Sequence, residues 1–471
     1  MADKNLIVAK TQVSTLQPNL DTVTTIKADG SRNFVHPADV RGRFTTLRAL
    51  AGIVLIAVYV LLPWIQINGS PAVFFDFSHR QLHLFGLMFL AQDFWLGFFL
   101  ITGLGFTLFY VTALWGRIWC GWACPQTVFI EQIFRRIERL IEGDATARRK
   151  LDKSPWTPEK IARRGSKLFI FFLLAFIVAH VFISYFVSIR VLYRIMLESP
   201  LENWSLFLFV FAMTAALLFD FAWFREQFCI VMCPYGRLQS VLIDDDSVVI
   251  GYDKTRGEPR GKLKEAGAGD CIDCHRCVAV CPTGIDIRQG LQIECIGCSN
   301  CVDACDTIMQ KIGRPTGLIR YDSTHGFAGQ KTRIIRPRII LYTGLLLLGA
   351  TVMSLSLTTV KPATVTMIRM TGSPYYLMDE GVRNQYLLRI FNKQTHPMEF
   401  KLRVTKGPTG LKTNGIDKPI EVAPLGEQKV MLVAVMPKGK YTAPFKFELE
   451  TSSEKFTNTQ TIPFLGPNSP R

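Results

Sequence analysis

Five stretches of this 471-residue chain are apolar over the length needed to cross a bilayer, and nothing else in the sequence restricts the fold as strongly. They run from about Ala49 to Ile65, Phe94 to Trp115, Leu168 to Val187, Trp204 to Phe224 and Ile339 to Leu357. Hydrocarbon offers no partner to a backbone N–H or C=O, so each is expected to be a helix that satisfies its own backbone. A single stretch could be a buried core helix. Five in one chain, with a mean hydropathy of +0.21, point to a polytopic membrane protein. Residues 1–45 are polar and Thr-rich, lack the apolar centre of a signal peptide, and are expected to form a disordered arm.

Lys and Arg in the connecting loops set the expected orientation. Only Arg80 lies between the first two stretches and only Arg190 and Arg194 between the third and fourth, against twelve basic residues between the second and third. The amino terminus is therefore expected in the cytoplasm and the carboxyl terminus outside. The formal net charge of +16 then reads as membrane-surface charge facing anionic lipid. No nucleic-acid-binding motif accompanies it, and no such partner is expected.

Eight of the twelve cysteines fall between Cys271 and Cys305. Cys271, Cys274, Cys277 and Cys281 read C-x2-C-x2-C-x3-C-P, and Cys295, Cys298, Cys301 and Cys305 repeat the interval. In this bacterial ferredoxin pattern three thiolates of a run hold one cubane and the fourth crosses to the other. One [4Fe-4S] cluster is thus assigned to Cys271, Cys274, Cys277 and Cys305, the other to Cys295, Cys298, Cys301 and Cys281. Zinc needs only four ligands and leaves the doubled pattern without a reason. Asp306 stands where the second run would carry its proline, and His275 and Arg276 flank the ligands. Every cysteine lies in, or at the edge of, the segments assigned to the reducing compartment, which disfavours disulfides.

The remaining four form a faint internal repeat. The second apolar stretch leads into WCGWACP and the fourth into FCIVMCP, each a Cys-x3-Cys-Pro motif: Cys120 with Cys124, and Cys229 with Cys233. On a continuing helix each pair would point one way, and the proline disfavours helix at the second cysteine. All four are expected at one membrane depth, where soft sulfur suits Cu(I), zinc, an iron–sulfur centre or a dithiol–disulfide couple. A radical-SAM reading fails because its third cysteine position holds Thr127 or Gly236. The following stretch from Val128 to Ile141 is amphipathic at helical spacing, fitting either an interfacial helix over the site or a helix packed on the ferredoxin module.

Asp76, His79, His83 and Asp93 gather before the second stretch, with the two histidines expected on one helical face. A membrane-surface segment is the favoured reading over a quinone pocket or metal-entry site. Within the apolar stretches His180 and Asp220 are ionisable and carry functional interest by default. One intramembrane histidine cannot supply two axial haem ligands. From about Thr364 the hydrophobic period becomes two, in YLLRIFN, MEFKLRV, KVMLVAV and FKFELE, and predicts an antiparallel immunoglobulin-like sandwich. Met367, Met370, Met431 and Met436 are expected to pack its core.

Taken together, these motifs resemble the FixG/RdxA/CcoG group of cytochrome c oxidase accessory proteins. WCGWACPQ, FCIVMCPYGR, CIDCHRCVAVCPTG and ECIGCSNCVDACD carry the likeness, with a last span and an immunoglobulin-like tail. The fold expected is a polytopic α-helical membrane protein of about five spans, with an inserted two-cluster ferredoxin module and a C-terminal all-β sandwich. Its expected parts are an arm (1–45), a four-span core (46–240), a ferredoxin domain (241–337), a fifth span (338–360) and an extracytoplasmic domain (361–471). The resemblance implies a bacterial inner-membrane oxidoreductase with two [4Fe-4S] clusters that reduces Cu(II) to Cu(I) for cbb-type oxidase assembly. Cys120, Cys124, Cys229 and Cys233 would handle copper. The partners implied are a cytoplasmic electron donor, a copper transporter or chaperone, the oxidase assembly machinery and membrane lipid, with a homodimer admitted. Two rivals stand beside it: a quinol dehydrogenase-type ferredoxin subunit, and a non-enzymatic copper chaperone or assembly scaffold.

Overall fold

The structure, a computed structural model, describes residues 34–467 apart from 78–79, 91–92, 94, 264 and 455. The chain divides into two compact units: one runs to Ile65 and resumes over Phe98–Val352, the other joins Gln66–Gly97 to Met353–Arg471. Among the described residues, five helices are long and apolar enough to cross a membrane: Arg43–Leu61, Trp95–Trp115, Pro158–Ile183, Trp204–Phe224 and Pro337–Thr358. Their outer faces leave Leu50, Ile53, Phe98, Ile101, Phe169, Phe211, Leu347 and Leu348 exposed, a surface suited to hydrocarbon rather than water.

Two spans begin earlier than hydropathy indicates, and both earlier starts have a polar cause. In the third span Pro158 occupies the first turn, and the Thr157 hydroxyl accepts from the Lys160 amide at 3.2 Å. Its basic opening turns are tolerated because Lys167 pairs with buried Glu142 at 2.9 Å and Glu138 at 3.5 Å. The first span opens on a carboxylate from outside itself. Asp303 accepts from the Phe44 amide at 3.2 Å and from both the amide and hydroxyl of Thr45 at 2.7 Å. A helix start leaves its N–H groups unsatisfied and attracts negative charge, so this contact fastens the ferredoxin module to the membrane helices.

The disordered arm expected over 1–45 does not extend to its last residues. The Ala38 amide donates to the Ala279 carbonyl at 2.7 Å, Arg276 donates to the Asp39 carbonyl at 2.6 Å, and buried His36 meets Asp152 at 2.6 Å. The remainder of that expectation lies outside the described residues.

After the first rim motif the chain continues as Pro125–Phe129, a π-helical turn Ile130–Phe134, and helix Arg135–Glu142. The turn drives Phe134 between Phe171 and Phe221, with ring centroids 4.9 and 4.3 Å away. The stretch is therefore packed rather than laid on a membrane surface. Glu138, 1 % exposed, binds Arg225 at 2.8 Å and Arg148 at 3.1 Å in addition to Lys167.

In the ferredoxin segment, strands Val249–Tyr252 and Ile319–Asp322 pair antiparallel and put Ile250, Tyr252 and Ile319 against Cys271, Cys277 and Val302. The two ligand loops repeat each other in backbone as well as sequence. His275 and Ser299, each between the second and third cysteine of its run, are both left-handed, at φ 52° and 65°. Asp306 replaces proline because helix Asn300–Lys311 continues past Cys305; proline there would break the helix. Its carboxylate also accepts from the Gly317 amide at 2.8 Å.

In the other unit, the described residues between 66 and 90 form short strands joined by turns, which corrects the helical reading of the outer polar segment at His83. Val73–Asp76, Gln81–Leu84 and Leu87–Leu90 form a meander in which His83 stands opposite Phe74 and Met88. A strand sends alternate residues to opposite faces, so the four-residue spacing has no helical meaning here; His79 lies outside the described residues. Asp93 accepts from the Leu90 amide at 3.0 Å and pairs with Lys393 of the sandwich. That sandwich packs Lys412–Asn414, Glu427–Pro437, Gly381–Asn392 and Ala363–Arg369 against Ile420–Val422, Met398–Lys406, Phe445–Ser453 and Phe456–Phe464. Met436 and Met367 join its core as expected, while Met431 and Met370 are exposed at 49 % and 39 %. The core expectation is overturned for Met431 by strand alternation and for Met370 because it lies just past the end of Ala363–Arg369.

Burial alone would raise the Glu138 carboxyl, but Arg225, Lys167 and Arg148 hold it well below the usual carboxylate range. A depressed value stabilises the fold above the unfolded carboxyl's pKa and is lost as pH falls through the folded one, so this contribution is complete at neutral pH. Glu138→Gln leaves buried cations uncompensated and should cost about 3–5 kcal/mol. A clear fall in the thermal midpoint of the detergent-solubilised protein at pH 7 is expected; an unchanged midpoint contradicts the network's role.

Candidate functional site

Two cavities inside the ferredoxin segment are walled by cysteine. One, with about 350 Å3 of empty space, is lined by Cys271, Cys274, Cys277 and Cys305. The other, about 340 Å3, is lined by Cys281, Cys295, Cys298 and Cys301, with Cys277 on the wall as well. The crossed grouping read from the spacing is therefore the grouping found in space, and Cys277 makes the cavities neighbours. All twelve cysteines are unpaired. Among the described residues no three of His, Cys, Asp or Glu form a group set for a single metal ion. The sulfurs instead surround a space, which fits a cubane better than one ion.

Thiol chemistry agrees with that fit. Burial pushes Cys277, Cys295 and Cys305 up to about 12, and Cys301 well above its ordinary value. Left alone, these thiols stay protonated; a cationic centre is what brings them to thiolate. Beside the first cavity, Arg288 is 4 % exposed and held by Asp286 at 2.7 Å, with its guanidinium also 2.8 Å from His275 Nδ1.

The other four cysteines also gather. Cys229 lies within electrostatic reach of Cys124, Cys120 and Cys233, Cys124 of Cys233, and Cys120 of Cys124 and Cys233. The motifs are built alike. Helix breaks at the second cysteine of each, where Cys124 and Cys233 are extended at ψ 125° and 110° and precede a proline that starts a new helix. The Cys124 amide donates to the Trp119 carbonyl and the Cys233 amide to that of Phe228, both at 2.9 Å and both five residues back. The helix thus ends at the second cysteine of each pair, as the following proline led one to expect, because the residue before proline is driven to extended backbone.

Several residues that complete the rim carry no cysteine. Gln239, wholly buried, donates from Nε2 to Cys120 Sγ at 3.2 Å. Burial raises Cys120 to about 11 even so, Cys124 is likewise raised, and burial beside its neighbours carries Cys229 higher still. Arg117, 8 % exposed, donates to the Cys295 carbonyl at 3.2 Å, to the Ile293 carbonyl, and to the Gly236 carbonyl beside the second motif at 3.1 Å. It thereby ties the second cavity's loop to the rim. A Cβ on Gly121, between Cys120 and Cys124, would lie 2.7 Å from the carbonyl oxygens of both Ile296 and Gly297. Only glycine permits that approach, and Gly297 itself is left-handed at φ +68°. Trp122 Nε1 donates to Tyr321 Oη at 3.2 Å, and Tyr321 donates to the Gly297 carbonyl at 2.8 Å. From the first span, Arg48 donates to the Cys298 carbonyl at 3.0 Å. The available signal for these residues was an arginine or glycine set among aromatics beside a ligand motif.

The remaining candidates sit elsewhere. Asp220 accepts from Gln126 Nε2 at 3.0 Å, next to the rim in sequence and space. His180 lies in the third span with Nδ1 bonded to the Phe176 carbonyl at 2.8 Å. Asp76 and His83 belong to the strand meander and Asp93 to its ion pair, all within the unit that carries the sandwich.

Comparison with known proteins fits these sites. Residues 224–324 match the family model for a 4Fe-4S dicluster domain, and residues 95–143, which include Cys120 and Cys124, that for a 4Fe-4S binding domain. Residues 353–467 match the model described as an IG-like fold at the C-terminal of FixG. Protein RdxA of Cereibacter sphaeroides is 35 % identical over 428 residues, covering 86 % of this chain and 90 % of RdxA. Protein RdxB of the same organism is 33 % identical over 86 % of this chain and 89 % of its own. Nitrogen fixation protein FixG of Rhizobium meliloti is 34 % identical over 68 % of this chain and 63 % of its own. A crystal structure of a FixG-related protein from Vibrio parahaemolyticus matches 22 % of this chain and 97 % of that one, at 24 % identity and a TM-score of 0.21.

If the Gly121 contact holds the second cavity in shape, Gly121→Val should spare the first cluster and lose the second. Bound iron is expected to drop from about eight to about four per chain. Full iron content in that variant contradicts the contact's role.

Proposed function

The chain belongs to the FixG/RdxA family, and on that premise we propose that it passes single electrons from a cytoplasmic donor to Cu(II), yielding Cu(I) for assembly of a cbb-type cytochrome c oxidase. The coarser statement stands independently: this is an iron–sulfur electron-transfer protein of the membrane. What supports the finer one is the rim of Cys120, Cys124, Cys229 and Cys233, whose thiols lie within electrostatic reach of one another beside the Gly121 contact with the loop of Cys295 and Cys298, although among the described residues they are not set as ligands of one metal ion. Four soft sulfurs favour Cu(I) over Cu(II), so ligation itself draws the copper couple toward reduction. Cubanes held by the two cysteine sets supply electrons one at a time, matching a substrate that accepts one.

The chain's own groups do the rest. Rim thiols bind copper and release their protons as they do so. Gln239 fixes Cys120 through its amide, and Arg117 and Gly121 hold the rim against the loop of Cys295 and Cys298. The Lys and Arg bias supports a reading with this end in the cytoplasm and the sandwich in the periplasm of the bacterial inner membrane. A copper transporter or chaperone and the oxidase assembly machinery are the partners this reading requires.

A second reading has one observation in its favour. An apolar space of about 940 Å3 between the third and fourth spans is lined by Phe172, Phe176, Phe207 and His180, as a quinol site would be. Quinol-dependent reduction of the clusters in liposomes would favour that reading.

The copper reading is tested with anaerobic holoprotein, reduced and freed of excess dithionite, given Cu(II) in the presence of a Cu(I) chelator. Cys120→Ser with Cys124→Ser should slow Cu(I) formation about tenfold or more with iron content unchanged. An undiminished rate removes the rim from the mechanism.

A further inference from the structure

Apart from the cysteine cavities, about 700 Å3 of empty space opens between the start of the first span, the segment from Glu131 to Arg148, and arm residues 37–40. Its wall carries Arg48, Arg135, Arg136, Arg139 and Arg148 against two carboxylates, Asp39 and Glu131. Like charges drawn together at low dielectric repel strongly, and an anion among them relieves the repulsion.

Three of these arginines form its inner wall. Arg48, Arg135 and Arg148 are 5 %, 8 % and 3 % exposed, with their Nε atoms enclosed rather than open to the cavity. Their outer nitrogens are occupied: Arg48 by Glu131 at 3.2 Å, Arg148 by Glu138 at 3.1 Å, and Arg135 by Glu131, by Glu226 at 3.5 Å and by the Pro282 carbonyl at 3.0 Å. The two exposed arginines are more available. Arg139 pairs with Asp39 at 2.7 Å, and Arg136 donates to the neutral amide of Gln132. Five guanidinium groups thus stand against the four carboxylates of Asp39, Glu131, Glu138 and Glu226, and among the described residues Arg136 meets no carboxylate.

Position identifies the anion's class. Arg48 and Ala49 of the wall belong to the first turns of the first span, and on the same helix Leu50, Ile53 and Val54 are exposed to the apolar layer. The cavity therefore lies at headgroup depth, where forked guanidinium groups match phosphate oxygens. We propose that it binds a phosphate-bearing anion, supplied by the headgroup of an acidic phospholipid on the ferredoxin side of the bilayer or by free inorganic phosphate. Basic pockets between membrane helices hold acidic headgroups by this chemistry. Arg48 also donates to the Cys298 carbonyl, so the bound anion would share a guanidinium with a cluster loop.

The test uses full-length holoprotein, delipidated in neutral detergent and titrated with phosphatidylglycerol, phosphatidylcholine and inorganic phosphate, with occupancy read by native mass spectrometry. Phosphatidylglycerol bound about tenfold more tightly than phosphatidylcholine assigns a lipid, and saturable phosphate binding without a headgroup preference assigns the free ion. Both outcomes support the site. Arg136→Gln with Arg139→Gln removes two exposed charge-assisted donors and should weaken binding about tenfold or more. Arg149→Gln with Lys150→Gln removes two exposed charges near the same segment but outside the cavity wall, and should leave binding within about twofold. Equal affinity for the two lipids without phosphate binding, or equal losses in the two double variants, would overturn the proposal.

Discussion

Backbone approach at Gly121 is the constraint on which the redox architecture depends. With no side chain there, the first thiol motif lies directly on the carbonyls of Ile296 and Gly297, in the loop that carries Cys295 and Cys298. Arg117 closes the same contact from the side, reaching the Cys295 carbonyl and the second thiol motif with one guanidinium. Burying that guanidinium is tolerable because carbonyl oxygens and sulfur surround it. The consequence is that the first thiol motif is held in backbone contact with the loop that lines the second cysteine cavity.

Holding that arrangement takes more than one contact, because the ferredoxin segment and the spans meet at several separate points. Asp303 completes the start of the first span, Arg48 reaches the Cys298 carbonyl, and the arm residues near Ala38 bridge to Ala279. Underneath, Glu138 and Glu142 hold the third span to the helix after the first motif through buried ion pairs. Such pairs add little net stability compared with apolar packing, yet they penalise any other register heavily. Electron transfer is a reaction in which a fixed separation matters, and this geometry is built to hold one.

Much of the site was legible because cysteine spacing is nearly a geometric instruction. Two runs of C-x2-C-x2-C-x3-C gave the crossed cavities, and the repeated Cys-x3-Cys-Pro gave a gathered rim. Hydropathy located five spans but missed the opening turns of the third, since Lys160 and Lys167 look soluble until Glu138 and Glu142 are placed beside them. Periodicity misled at His83, where its spacing of four from His79 suggests helix but the residue lies in a strand. The sandwich was plain in its alternating runs, although Met431 and Met370 face outward. Arg117, Gln239 and Gly121 were not legible, because their roles come from residues more than a hundred positions away.

Rapid-freeze EPR of the anaerobic, cluster-reduced protein mixed with one equivalent of Cu(II) measures the central claim most directly. The account predicts that the Cu(II) signal and the reduced-cluster signal decay together, with a common rate constant. A Cu(II) signal that persists beside clusters that remain reduced would contradict it.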